Sequence, residues 1–402
     1  MFMNQVKFLS LALSLLMLPS VSLAATGTDI VSTSENSTEA PAPGSNQIGP
    51  VVAIEAGLNH SISTGKGVMW DQGDSIAPVY APAYLNGSTY SEGWDFMFDF
   101  DDGTIISAQI AVSNFGSGKH RMLVLIKLTD PVGREITLKN GRGRSDWFKH
   151  EGEFDYQIAQ HHFWKDNDTF HFQFSHPSGD IDLVAKSIAA PMDLGIVWSG
   201  TKRGYQYVNV FAPKMAVSGQ YRIKDENTGV AEEYQALGKG VGHGLRHVTS
   251  SAMGEAASAW LRAFATGSSS DHDISPVVDI RQLKNGKTRA NIRLLDHEAS
   301  VVDDLSFEIE ASLLEDKRAE CCMNIPITAV GAGELNGTIS LTTQVQKFDV
   351  VDELKPFERF FVRMFKTPVN TRYRISYDFT YISNGISTKV TGKGLADLMT
   401  LN

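Results

Sequence analysis

Cysteine is almost absent from this sequence: its 402 residues hold two, Cys321 and Cys322, side by side. Neighbouring residues on a strand point to opposite faces, so a bridge between them is disfavoured, and two small half-buried side chains are the simpler reading. With no disulfide framework, an apolar core must hold the fold. Basic tracts are also lacking. The 36 Lys and Arg are outnumbered by 46 Asp and Glu, for a net charge of −10. That balance argues against nucleic acid as a partner, because phosphates need clustered cations. Long apolar runs occur once. Lys7 precedes the run Phe8 to Leu18, and Ser22-Leu23-Ala24 follows it as a small-x-small site. Residues 1–24 therefore read as a secretory leader without a lipid-bearing cysteine. No later run approaches the roughly 20 residues that span a bilayer. An exported protein, periplasmic or secreted and soluble after leader removal, is expected.

Catalytic signatures are missing as well. Gly286-Lys287-Thr288 looks like the end of a phosphate loop, but the required earlier glycine is Arg281, and Asn285-Gly286 makes a hairpin turn the better account. Gly238, Gly240, Gly242 and Gly244 are spaced by two, and His243 stands where a dinucleotide loop needs its third glycine. No Gly-x-Ser-x-Gly elbow occurs. Asp166-Asn167-Asp168 starts like a calcium loop but continues into Phe170 and His171, which suits a solvated turn. Eleven histidines invite a metal site. His243 and His247, however, lie on an alternating-glycine stretch that reads as a strand, where four residues span about 13 Å. No metal and no cofactor is expected.

What is present is β-pattern. Residues 25–50, rich in Ser, Thr, Glu, Ala and Pro, read as a disordered linker. Beyond them come short alternating runs separated by turn residues. Trp94, Phe96, Phe98 and Phe100 alternate up to Asp102-Gly103, and Phe170, Phe172 and Phe174 alternate up to Pro177-Ser178-Gly179. Met122 to Leu128 is a fuller apolar run. Further strands are expected at Arg289–Leu295, Leu305–Leu313, Ile339–Phe348 and Tyr373–Ile382. Turns at Asn285-Gly286, Asn336-Gly337 and Asn384-Gly385 separate them. Many strands and few helices favour all-β architecture in two closed or nearly closed barrels. The first β domain is assigned to residues 51–265 and the second to 266–402, divided near Gly267-Ser268-Ser269-Ser270.

Pro356 to Phe365 breaks the rhythm with a helical period in Phe357, Phe360, Phe361, Met364 and Phe365. Arg359, Arg363 and Lys366 lie opposite, so a helix packed on the second barrel or docking on an anionic membrane is expected. The glycines at 238, 240, 242 and 244 strip one face of a strand, whether for close packing or for room inside a barrel. Trp260, Arg262 and Phe264 share a face, as do Tyr373, Ile375, Tyr377, Phe379 and Tyr381.

Three segments together point to a family. Glu92 to Thr104, Phe163 to Phe174 and Gly238 to Phe264 resemble, in this order, the tandem lipocalin-like superfamily. It groups fungal survival-factor lipocalins, AttH-like bacterial proteins, carotenoid 1,2-hydratases and fungal Diels–Alderases. The resemblance covers about residues 75–402 and implies two consecutive lipocalin-type barrels with a hydrophobic cavity. The glycine-rich segment followed by a Trp is most similar to the survival-factor branch, linked to ceramide handling. The hydratase branch carries Asp-His-Asn-Trp-Gly where this chain has Gly242-His243-Gly244-Leu245-Arg246. It keeps the His and lacks the adjacent Asp and Trp.

The functional expectation is a non-catalytic, exported binder of a lipid, sphingolipid-like molecule or isoprenoid. Trp94, Trp164, His243, His247, Trp260, Arg262, Tyr377 and Tyr381 are its ligand-contact candidates. The alternative is a hydratase or cyclase acting on a polyene or terpenoid, with His243 or Asp378 as proton donor. A third reading is a scaffold whose barrels are filled by side chains. Peripheral membrane contact is assigned to Phe357, Arg359, Phe361 and Arg363.

Overall fold

The computed structural model describes residues 80–401 apart from 81, 88, 115–118, 150–153, 200–203, 226–227, 251–256, 269–273, 310–312, 315–322 and 350–367. The expected leader, the linker, Cys321, Cys322 and the helix at Pro356–Lys366 lie outside the described residues. The rest is β-structure, with one 3-10 turn at Arg144–Asp146.

Twelve strands build the first sheet. They are β1 (Ser91–Phe100), β2 (Ile105–Ser113), β3 (Arg121–Thr129), β4 (Glu135–Arg142), β5 (Trp147–Lys149) and β6 (Asp155–Ile158), then β7 (His161–Asp166), β8 (Thr169–His176), β9 (Gly179–Ser187), β10 (Met192–Ser199), β11 (Tyr205–Ile223) and β12 (Gln235–Thr249). Their order is β4-β3-β2-β1-β12-β11-β9-β8-β7-β6-β5, with β10 added on β11. The sheet curls until its ends nearly meet. Across that seam the Asn140 side-chain amide on β4 hydrogen-bonds His161 Nε2 on β7 at 2.8 Å. The second sheet is a closed barrel of β13 (Ala257–Ser268), β14 (Ser275–Leu283), β15 (Thr288–Leu295), β16 (Val301–Ile309), β17 (Met323–Val330), β18 (Glu334–Asp349), β19 (Pro368–Ser383) and β20 (Ile386–Leu401). Closure removes the sheet edges that would otherwise pair with other chains.

Two local expectations need correction. The proposed boundary after residue 265 falls inside β13, whose Ala257 is already part of the closed barrel. Gly267 and Ser268 are the last residues of β13, paired with Lys393 and Gly392 of β20, and the two sheets divide between Thr249 and Ala257. Asn336-Gly337 is no turn either: it lies within β18, paired with Thr380 and Phe379. A side chain at Gly337 would put its Cβ 2.0 Å from the Asp378 carbonyl oxygen, so this glycine serves close strand approach. The chain reverses instead at Gly331–Gly333, where Asp303 accepts from the backbone N–H groups of Ala332 and Gly333. Asp102-Gly103, Asn285-Gly286 and Asn384-Gly385 do turn, each with its glycine at positive φ.

Period-two alternation turns Trp94, Phe96, Phe98 and Phe100 into the first barrel, where all are buried. Phe96 meets Phe172 edge to face at 4.7 Å and Phe211 at 5.4 Å. The stripped face of β12 looks into this cluster. A Cβ at Gly242 would stand 2.7 Å from Phe98, and one at Gly244 2.7 Å from Phe211. Of the two uses open to those glycines, packing is the one realised. At the end of the same interior Arg246 and Glu92, both fully buried, pair at 2.5 Å, and Tyr90 Oη donates to the carboxylate. A charge taken out of water is tolerated only with such partners. The second barrel is likewise occupied, by Leu261, Ile280, Ile292, Ile325, Ile339, Phe379 and neighbours.

The glycine face yields a stability test. Gly244→Val should lower unfolding stability by about 2 kcal/mol through overpacking against Phe211 and Phe96. Gly238→Val, whose Cβ would come no nearer than 3.8 Å to Asp101, should cost far less. Urea denaturation of the two variants measures the contrast; equal losses would show that the inner face of β12 is not tightly packed.

Candidate functional site

Among the described residues, a cleft lies outside both barrel interiors. About 240 Å³ in volume, it runs between the outer face of β1–β4 and the outer face of β13, β20, β19 and β18. Strand pairing arranges its walls in rows. On the first barrel, Asp95, Gln109, Leu125 and Lys139 stand side by side, as do Gly93, Ala111 and Leu123. On the second, Trp260, Met399, Asn370 and Phe348 form one row, and Arg262, Asp397, Arg372 and Gln346 form the next. The apolar residues on the outer face of β3 thus have a function in the fold: Leu123 and Leu125 line the cleft, while Met122, Val124 and Ile126 fill the core.

The charged row ties the barrels together. Arg262 Nη1 donates to Asp95 Oδ2 at 3.2 Å, and Arg262 Nη2 lies 3.7 Å from Asp397 Oδ2. Arg372 grips Asp397 with two hydrogen bonds of 2.7 and 3.0 Å and donates to Gln346 Oε1 at 2.6 Å. Gln346 Nε2 reaches back to Thr129 Oγ1 on the first barrel at 2.8 Å. Burial by itself would raise the Asp95 carboxyl; His247, Arg262 and Gln109 together hold it well below the usual carboxylate range. Trp260 lies between Arg281 and Arg262, whose guanidinium carbons sit 3.8 and 4.7 Å from its ring centre. Its Nε1 donates to Asp279 at 2.7 Å. Such stacking on a buried indole orients both cations.

His247 lines the cleft from β12. Its Nδ1 lies 3.1 Å from Asp95 Oδ2. The ring covers Gly93, where a Cβ would fall 2.6 Å from the imidazole Cε1, so this glycine makes the space for it. An imidazole fixed by a carboxylate at one nitrogen, with the other directed away from it, is an arrangement suited to proton transfer. Ser113 Oγ and Asn370 Oδ1 are buried polar atoms of the cleft lining without a protein partner. Buried groups of this kind normally have one.

The sequence-derived candidates separate. His247, Trp260 and Arg262 meet at the cleft. His243 is four residues from His247 on the same strand face but is sealed under the second barrel. Its Nδ1–H donates to the Pro213 carbonyl at 3.2 Å, and the ring stacks on Phe264 at 5.0 Å. Desolvation holds its pKa down to about 4, so it is neutral near pH 7 and has no proton to give as an acid. Asp378 is on the surface of the second barrel, paired with Lys389 and 65% exposed. Trp94 is inside the first barrel against Tyr156, and Tyr377 and Tyr381 are inside the second. Trp164 is on the outside of the first barrel, stacked between His162 and His171. Phe357, Arg359, Phe361 and Arg363 lie outside the described residues. Among the described residues no group of His, Cys, Asp and Glu is placed to hold a metal. Sequence reasoning missed Asp95, Arg372 and Asp397. The doubly apolar β3 was the one available signal that a second surface covers this face.

No protein-family model matches the chain, and no curated protein sequence does. Solved structures do. CghA, determined with Sch210972, is 11% identical, with a TM-score of 0.53 over 82% of this chain and 94% of that one. An AttH-type protein from Nitrosomonas europaea (11% identity, TM-score 0.41, 77% and 91% covered) and kievitone hydratase from Nectria haematococca (10%, 0.45, 83% and 93%) also align. The likeness is one of fold. The chain has the tandem lipocalin-like architecture.

The two buried imidazoles set an acid limit. His161 and His243 both have pKa values held near 4 in the folded protein, against about 6.5 in an unfolded chain. The unfolded state therefore binds more protons between these values, and stability falls as pH drops from 6.5 towards 4. Lowering the pH from 7 to 5 should cost about 2 kcal/mol per histidine. Urea titrations at both pH values should show this loss, reduced in His243→Gln; an unchanged slope in that variant would refute the assignment.

Proposed function

We propose that this chain binds an elongated, mainly apolar small molecule with one polar end, and that it does so between the barrels. The observation carrying this reading is the cleft itself. Leu123, Leu125, Met399 and Phe348 supply an apolar lane, while Ser113, Asn370 and the Asp95–His247 pair supply the few convergent polar groups of a ligand site. Lipids and isoprenoids fit that chemistry, and CghA, a protein of the same architecture, has been solved with a small molecule, Sch210972. Carriage without catalysis is the first reading. Export is supported by the leader pattern of residues 1–24, and delivery at a membrane by the aromatic and basic pattern at Phe357, Arg359, Phe361 and Arg363.

A hydratase or cyclase is the second reading. It is favoured by His247, which, unlike His243 and Asp378, lines the cleft and is held by a carboxylate, Asp95. Chemistry would then run at the same wall that binds the ligand.

Solvent extraction of the purified protein, followed by lipid mass spectrometry, should recover an enriched apolar compound. Uptake of a fluorescent acyl probe should weaken by about tenfold in Leu125→Glu, which places a charge in the apolar lane. Full probe binding by that variant would remove the cleft as the site. If linear isoprenoids are turned over, His247→Ala should abolish product while weakening probe uptake far less than Leu125→Glu does; turnover surviving in that variant would exclude His247.

A further inference from the structure

Resting on that reading of the cleft, we infer that its ligand is an alcohol, a long aliphatic or isoprenoid chain whose polar end is an un-ionised hydroxyl. Three neutral groups of the lining keep hydrogen-bonding capacity that the protein does not use. Ser113 on β2 is 2% exposed and its Oγ has no partner, and Asn370 on β19, in the opposite wall, leaves its buried Oδ1 in the same state. The third is His247. Its Nδ1 faces Asp95 Oδ2 at 3.1 Å, so in the neutral ring that nitrogen carries the proton and Nε2 keeps its lone pair. Asn370 Oδ1 and His247 Nε2 can then only accept, whereas Ser113 Oγ can accept or donate. A hydroxyl suits this set, because it gives its proton to an acceptor while taking one from the serine.

Neither kind of ion fits as well. Asp95 already accepts from His247, Arg262 and Gln109, and Asp397 accepts from Arg372. An ammonium head would therefore enter a cleft whose two carboxylates are both paired. Arg262 and Arg372 are committed to those same carboxylates, Lys127 and Lys139 have partners of their own, and Lys347 is exposed to solvent. A carboxylate head would have to displace one of these contacts. An ion taken from water without a free counter-charge is costly, whereas a hydroxyl that regains a hydrogen bond loses little. The apolar lane runs beside the three groups. Asn370 stands between Met399 and Phe348 in its row, and Ser113 is two residues from Ala111, which pairs with Leu123.

The test is competition against a fluorescent acyl probe on the full chain, using decanol, decyl methyl ether, decanoate and decylamine. Mildly alkaline buffer keeps an ordinary imidazole neutral. The ether retains the oxygen but has no proton to donate, and it is the more apolar of the two. Decanol should nonetheless displace the probe at a concentration about tenfold lower than the ether, and lower than either ion. Asn370→Leu removes the acceptor at similar size, and should weaken decanol by about fivefold and the ether far less. Ser113→Ala should narrow the same gap. Equal displacement by decanol and the ether, stronger displacement by decanoate or decylamine, or retention of the decanol preference in both variants overturns the inference while the cleft reading stands. Failure of wild type to take up the probe overturns both.

Discussion

The inner face of β12 is bare backbone, and the aromatic rings of the first barrel occupy the space its side chains would need. Phe96, Phe98 and Phe211 come within van der Waals reach of Gly242 and Gly244. That exchange has two consequences. The first barrel is packed by its own rings, so it gives up the hollow centre on which a lipocalin-type site would ordinarily depend. The outer face of the same strand, with His243, Leu245 and His247, must then be covered, because it carries apolar and imidazole groups. The second barrel covers it with Trp260 and Phe264. Among the described residues, a cleft with room for a ligand lies where the two outer faces diverge.

Apolar contact and ion pairing divide the work of docking. Met192, Leu194, Val208, Leu245, Trp260 and Val277 form one apolar patch, and Met97, Ile105, Phe264 and Leu395 form another. Burial of such surface supplies the driving force but does not specify register. The row Asp95, Arg262, Asp397, Arg372 and Gln346 does, because each group has a directional partner and a sliding step would leave a desolvated charge unpaired. Removing one member of a buried pair typically costs about 3–5 kcal/mol, whereas the intact pair contributes little net stability. The row therefore fixes how the barrels meet, and with it the width of the cleft.

Much of the architecture was legible because strand period is a local property. The aromatic alternations of β1 and β8 and the turn glycines at 103, 286 and 385 fixed hairpins without reference to distant residues. The misreadings have one physical source. Asn336-Gly337 has turn chemistry, yet its glycine is needed for the approach of β19, and Gly267-Ser268 has linker chemistry, yet it ends a barrel strand paired with β20. In both cases a contact from far along the chain decided between two uses of the same residues. The site was less legible for the same reason. His247, Trp260 and Arg262 could be named from their own segments, but Asp95, Arg372 and Asp397 acquire meaning only by meeting across the interface. The aromatics most prominent in sequence, Trp94, Tyr377 and Tyr381, are core.

Two histidines four residues apart on one strand face show how environment assigns roles. His243 is desolvated, neutral and committed to a backbone carbonyl, and its position under Phe264 closes it to any ligand. His247 is half-buried at the cleft and bound to Asp95. Asp95 does not need that imidazole for neutrality, since Arg262 reaches the same oxygen and Gln109 the other. Docking of the barrels therefore accounts for Arg262 but not for His247, nor for the glycine at 93 that accommodates its ring. A pure carrier would require only the apolar lane and its polar end. The Asp95–His247 pair belongs to that polar end, its imidazole is what docking leaves unexplained, and it is where binding and chemistry would part.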